Sequence, residues 1–291
     1  MKLKRIRTAA VMAAVCAVSA CGCTSNGSTG GTVDVSTANG KLSTTDAQGN
    51  VEDVTLKNGD KIAVFEVEGY GTIKAKLFPE IAPVGVANFE QLAQQGYFNG
   101  KTIHRVVADF MLQGGSLNGD GTGGDAVVGD TGDFGTEIHV NARHFYGALC
   151  YANALGMNST QFYIVNNKLP QTFDEIDPAY VKYLAEQYGA LKTQATEGSL
   201  QYQSYDSMEK YYSNLAELVE TATDKVKEKY KAVGGTPSLD GGYTVFGQVY
   251  EGFEVIDAIS ACEVKDNGNG EVSKPVEEII IKSVTVTAYT E

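Results

Sequence analysis

Between residues 61 and 287, glycines cut the chain into short runs of β-branched and aromatic residues, and a single block, 166–235, replaces that texture with apolar residues at helical spacing. The short runs read as strands, and many strands joined by tight turns must hide their edges, which a closed barrel does completely. The 33 glycines against 6 prolines, with no tryptophan, fit a turn-rich sheet protein better than a helix bundle.

Residues 61–68 and 71–78, split by Gly69-Tyr70-Gly71, form a predicted hairpin. Residues 83–95 follow with Val84, Val86, Ala87, Phe89, Leu92 and Ala93 on a helical stripe that stops at Gly96. Further strands are expected at 102–107, 111–113, 147–152, 161–165, 244–250 and 277–287, with a helix at 253–261. Within the block, Asp177 and Pro178 open one helix with Val181, Leu184, Tyr188 and Leu191 on a face. A second is expected from near Asp206, with Glu209 three residues on, and its stripe runs from Met208 through Tyr212, Leu215, Val219, Ala222 and Val226 to Tyr230. This predicts a helical hairpin inserted into a β fold.

The chain's start reads as an address. Lys2, Lys4, Arg5 and Arg7 precede a short apolar run, 8–20, well under the ~20 residues that span a bilayer, as in a secretory signal. Val18-Ser19-Ala20-Cys21 resembles a bacterial lipobox, which implies a lipid on Cys21, with Cys23 as the second choice. Residues 21–50, mostly Ser, Thr, Gly, Asn and Asp, read as a flexible tether. The expected layout is signal 1–20, lipidated tether 21–50, first barrel part 51–165, helical insertion 166–235 and second barrel part 236–291. The expected location is the extracytoplasmic face of a bacterial cell membrane, reached through a lipid anchor alone.

Charge narrows the partners. The net charge is −13, and the first twenty residues hold four bases and no acid, so the body is more acidic still. Phosphate neutralisation supplies most nucleic-acid affinity, which makes DNA and RNA poor partners here. Cys150 lies in the apolar run 148–152 and reads as a small buried hydrophobe. Gly119, Gly121 and Gly124 satisfy a dinucleotide-type count, but no βαβ unit surrounds them. Asn118 and Asp120 echo a calcium loop whose twelfth position is Gly129, and Glu137, His139 and His144 lack a metal-site spacing, so no metal or cofactor is expected.

The chemistry-bearing segment is 103–115. By period-two alternation Arg105 shares a face with Val107, and Met111 with Gln113, so a cation and an amide look across apolar ground. His104, beside Arg105, reads as a packing or hydrogen-bonding residue. Here the chain resembles the cyclophilin family of peptidyl-prolyl cis-trans isomerases. The likeness extends to Leu77-Phe78-Pro79, Asn88-Phe89 and Gly96-Tyr97-Phe98 upstream. Downstream it includes Ala152-Asn153-Ala154, Gln161-Phe162, Leu239-Asp240-Gly241 and Val245-Phe246-Gly247, in the family's order.

The resemblance implies a mainly β fold, a closed eight-stranded antiparallel barrel with two capping helices, here carrying an inserted helical hairpin. It implies catalytic roles for Arg105 and Gln113 and a proline pocket of Phe110, Met111, Phe162 and Leu239. Ala152, Asn153 and Gln161 match the substrate-backbone contacts, and Tyr243 replaces a frequent His at the groove rim. Ser238 stands where many members have Trp, and Tyr163 where a second pocket Phe is common. The implied activity is rotation about X-Pro bonds in proline-containing peptides and unfolded exported proteins. A proline-peptide binding module or chaperone with little isomerase activity is the alternative, and the insertion is expected to be dispensable for short peptides but not for protein clients.

Overall fold

A computed structural model describes residues 33–48 and 54–291. The signal segment and Cys21, with its expected lipid, lie outside the described residues. The strands are β1 (Leu42–Ser43), β2 (Lys61–Val67), β3 (Gly71–Leu77), β4 (Ile103–Val107), β5 (Met111–Gly114), β6 (Phe134–Gly135), β7 (Ile138–His139), β8 (Ala148–Ala154), β9 (Met157–Val165), β10 (Val245–Glu251), β11 (Val264–Asp266), β12 (Val272–Pro275) and β13 (Ile281–Ala288). The helices are α1 (Pro83–Gln94), α2 (Pro178–Lys192), α3 (Leu200–Glu220), α4 (Asp224–Val233) and α5 (Phe253–Ser260).

The main sheet is antiparallel and curled, in the order β13-β2-β3-β10-β8-β9-β5-β4, with β6 added on β9. The expected closed barrel is corrected to a half-barrel, because β4 and β13 share no ladder. The seam is crossed where the two strands begin, by the Thr102–Ile280 bridge and by backbone bonds from Ile103 N to the Ile279 carbonyl, from Ile281 N to the Lys101 carbonyl and from Gly100 N to the Ile281 carbonyl. The reason is local: the β11–β12 hairpin brings β12 alongside β4.

Inward-facing residues of the sheet pack on α1. Phe89 lies 5.8, 5.0, 6.1 and 5.2 Å from the rings of Phe65, Phe98, Phe162 and Phe246, and each is at most 2% exposed. Burying such a side chain contributes roughly 1.5–3 kcal/mol, so this ring cluster is the fold's main anchor. Ala82 offers no side-chain cap to α1. Both oxygens of Glu137, over fifty residues away, accept from Val84 N (3.0 Å) and Gly85 N (2.8 Å) instead.

The insertion carries three helices where two are expected. Asp177 does cap α2, accepting from Ala179 N at 2.9 Å, with Pro178 in the first turn. The long stripe belongs to two elements: Ser199 caps α3, which stops at Glu220, and Thr223 accepts from Val226 N to start α4. A stripe with the same spacing continues across the break, and the cap residue alone marks it. Phe173, Val181, Leu215, Val219, Val226 and Tyr230 form a second core that also takes in Phe145.

The tether reading fails for 33–48. β1 pairs in parallel with β7, Leu42 N donates to Asn214 Oδ1 (3.1 Å), and Asn141 Nδ2 donates to the Ala47 carbonyl (2.7 Å). Backbone hydrogen bonds hold this segment where apolar side chains are scarce, so its polar composition concealed it.

Candidate active site

Strands β4, β5, β9 and β8 set a row of side chains in register. Arg105 lies opposite Gln113, Gln113 opposite Tyr163, and Tyr163 opposite Cys150. These point to the outer face, while Val106, Leu112, Ile164 and Leu149 line the inner one. The turn joining β4 to β5 holds Asp109 in the left-handed region (φ 55°). Asn166 braces it, accepting from Phe110 N (2.7 Å) and donating to the Val107 carbonyl (3.1 Å).

The guanidinium sits in a directional chain. Arg105 Nη1 donates to Gln113 Oε1 (3.1 Å), Gln113 Nε2 to Gln161 Oε1 (3.0 Å), and Gln161 Nε2 to the Gly121 carbonyl (2.9 Å). Each amide is thereby committed to one orientation. Nη1 also lies 3.8 Å from Met111 Sδ, and the guanidinium carbon 5.9 Å from the Phe110 ring centre. The opposite edge is occupied: Nε and Nη2 each donate at 2.7 Å to the two oxygens of Glu271, which immediately precedes β12. Arg105 holds the Glu271 carboxyl below the usual range through these bonds.

Phe162 is the one pocket residue that the structure removes. Its ring faces inward, 5.3 Å from Phe65 and 5.7 Å from Phe98, because β9 alternates and Gln161 already points outward. Tyr163 takes the outer position. Its hydroxyl hydrogen-bonds His144 Nε2 (2.9 Å), and its ring meets Tyr243 edge-on at 6.0 Å. Burial pushes the phenols of Tyr163 and Tyr243 up, so both stay neutral.

Arg105, Gln113, Phe110, Met111 and Gln161 are thus assembled. Leu239, 8% exposed at the end of the single-turn helix Pro237–Leu239, belongs to the main core cluster, against which Phe110, Ala152 and Tyr243 also pack. Asn153 Nδ2 donates to the Gly242 carbonyl (2.9 Å) and its Oδ1 accepts from Gly156 N, which ties the β8–β9 turn to the Leu239–Tyr243 loop.

That loop rests on a buried hub that the sequence does not announce. Asp240, fully buried, accepts from Arg143 Nη1 (3.1 Å), His144 N (3.0 Å), His144 Nδ1 (2.9 Å) and the Tyr230 hydroxyl (2.9 and 3.0 Å). Burial would raise its pKa, but the bonds from His144 and the charge of Arg143 outweigh that and keep it below the ordinary carboxylate range. Glu137, His139 and His144 have separate partners: Glu137 caps α1, His139 bonds Thr45 and Asn141, and His144 bonds Asp240 and Tyr163. His104 is buried, and burial followed by the Arg105 charge lowers its pKa to about 4, leaving it neutral at physiological pH.

Comparison with known proteins identifies the class. The family model for the cyclophilin type peptidyl-prolyl cis-trans isomerases matches residues 62–186 and 219–286, and the chain belongs to that family. A candidate peptidyl-prolyl cis-trans isomerase of Staphylococcus saprophyticus is 32% identical over 232 residues, 79% of this chain and 93% of that protein. One from Staphylococcus aureus is 34% identical over 218 residues, covering 74% and 87%. Among solved structures, a cyclophilin type isomerase of Cryptosporidium parvum shares the fold, with a TM-score of 0.51 at 20% identity over 79% of this chain and 99% of that one. The same protein in the presence of the dipeptide Ala-Pro aligns with a TM-score of 0.50 at 21% identity, over 78% and 99%.

Proposed function

We propose that this chain catalyses cis-trans rotation about X-Pro bonds on its outer face. Rotation crosses roughly 18–20 kcal/mol because it breaks amide resonance, and takes tens of seconds or more uncatalysed. Turnover at ~10–10³ s⁻¹ requires a reduction of roughly 4–7 kcal/mol. No proton moves and no bond is made or broken, which suits a site without a general base.

Arg105 donates to the prolyl carbonyl and favours the pyramidal ring nitrogen of the twisted imide. Phe110, Met111 and Leu239, with Tyr163 and Tyr243, hold the ring, and Gln113 and Gln161 fix the guanidinium. Ala152 and Asn153 lie along the peptide backbone. One well-placed donor is worth ~2.7–4 kcal/mol, and orientation contributes the rest. The observation that carries this reading is Arg105 Nη1 lying between Gln113 Oε1 and Met111 Sδ, a cation aimed at an apolar floor. A protease-coupled assay on a short X-Pro peptide, with Arg105→Ala beside the wild type, tests it.

The exported role belongs to the same proposal: a lipid on Cys21 tethers the enzyme to the outer membrane face, where it assists folding of secreted proteins. The basic-then-apolar start and the lipobox pattern support it. Mass spectrometry of the N-terminal peptide from membrane extracts tests it, and an unmodified Cys21 and Cys23 would remove the anchor. A holding role for unfolded clients is favoured by one feature: Tyr180 and Tyr183 stack at 6.3 Å on α2 while 59% and 51% exposed.

A further inference from the structure

Arginine carries five N–H donors. In this site three are committed: Nε and Nη2 to the two oxygens of Glu271, and one Nη1 hydrogen to Gln113. The remaining two, one on each terminal nitrogen, lie away from the Glu271 edge. The Nη1 hydrogen has only Met111 Sδ for company, a weak acceptor that a peptide carbonyl readily replaces.

Glu271 is itself held in place. The turn linking β11 to β12 is pinned by Asn267 N to the Glu271 carbonyl (2.9 Å), Gly268 N to Asp266 Oδ1 (2.7 Å) and Asn269 N to Asn267 Oδ1 (2.8 Å). Gly268 and Gly270 occupy the left-handed region (φ 94° and 83°), as so tight a turn requires. Ser273, fully buried, also hydrogen-bonds the Glu271 side chain. Side-on pairing through Nε and Nη2 removes rotation about the last Arg105 torsions, which a single acceptor such as Gln113 cannot do.

We propose that Glu271 is a positioning residue for the isomerase reaction: its bidentate grip locks the Arg105 guanidinium so that its free terminal N–H groups face the prolyl carbonyl above Met111. The proposal rests on Arg105 being the carbonyl donor. Glu271 touches no substrate atom and acts through Arg105 alone. An Å-scale misplacement of a catalytic donor can cost about a hundredfold, and partial loosening costs less.

The test is a double-mutant cycle on the full chain, with kcat and KM measured separately on a short X-Pro peptide and Tm recorded for each variant. Glu271→Ala is expected to lower kcat about tenfold with KM within about twofold, since the cation remains but wanders. Glu271→Gln, which keeps one acceptor oxygen, recovers part of that loss. On an Arg105→Ala background, adding Glu271→Ala is expected to cost nothing more. An unchanged or raised kcat in Glu271→Ala overturns the proposal, the latter by making Glu271 a competitor for the guanidinium. An equal loss on both backgrounds also overturns it, because the effect would then bypass Arg105. Wild-type turnover in Arg105→Ala defeats the site reading itself, and the positioning role with it.

Discussion

The Tyr230 hydroxyl, in the last turn of α4, donates to both oxygens of the fully buried Asp240 carboxylate, one residue past Leu239 of the proposed pocket. Tyr211 of α3 adds a bond to the Ser238 carbonyl at 2.5 Å, and Asn214 one to the Gly241 carbonyl at 3.0 Å. The inserted helices therefore brace the loop that walls the groove. That bracing argues against the expectation that they are dispensable for short peptides.

Tyr230→Phe takes one donor from a buried charge that Arg143 and His144 continue to hold. A cost of about 1–3 kcal/mol is expected, read as a lower midpoint in urea at unchanged slope. Turnover of a short peptide should fall several-fold with it. Removal of 168–234 should abolish that turnover, because it exposes Phe145 and strips Asp240 of Tyr230. A soluble deletion with wild-type kcat would show the loop to be self-supporting.

Phe162 and Tyr163 should separate stability from the site. Phe162→Ala opens a cavity among Phe65, Phe89 and Phe98 and is expected to cost about 3–5 kcal/mol. Tyr163→Phe keeps the outward ring and loses the hydroxyl's bonds to His144 and Cys150, so it should cost about 1–3 kcal/mol. Thermal unfolding of the two variants ranks them, and a milder Phe162 variant would contradict the inward assignment.

Glu137 makes stability depend on pH in an unusual direction. Burial raises its pKa from 4.5 to about 7, despite the Val84 and Gly85 N–H bonds that favour the charged form. The folded chain thus holds this proton where the unfolded chain has lost it, and the group's contribution is full below about 4.5 and declines as pH rises to about 7. Glu137→Gln should flatten that decline in urea midpoints measured from pH 4.5 to 7.5, and an unaltered slope would place the titration elsewhere.

Turnover itself should vary little with pH. His104, with its pKa lowered to about 4 by burial and the Arg105 charge, does not change protonation near neutrality, and isomerisation needs no proton transfer. Between about pH 6 and 8, kcat/KM is expected to stay within about twofold. A bell-shaped profile in that range would reveal acid-base chemistry that the site does not provide.

Much of this was legible in the sequence because period-two alternation is a local rule. It put Arg105 on one face with Val107, and Met111 with Gln113, before any register was known, and the same rule assigns Gln161 and Tyr163 together, which excludes Phe162 from a face shared with Gln161. What stayed hidden depends on distant chain meeting. Glu271 reaches Arg105 across 166 residues from a glycine-rich hairpin with no motif of its own. Asp240 looks like part of a loop signature until Tyr230 and His144 close on it. Residues 33–48 dock by backbone bonds that composition does not encode.

The most direct measurement is kcat/KM for a short X-Pro peptide with wild type and Arg105→Ala, at matched folding by near-UV circular dichroism. Arg105 is half-buried and its partner Glu271 partly exposed, so the substitution leaves no deeply buried charge behind. A loss of about a hundredfold or more in kcat/KM, equivalent to about 2.7 kcal/mol, is the expected result. Equal rates in the two proteins would show that the guanidinium takes no part in turning the bond.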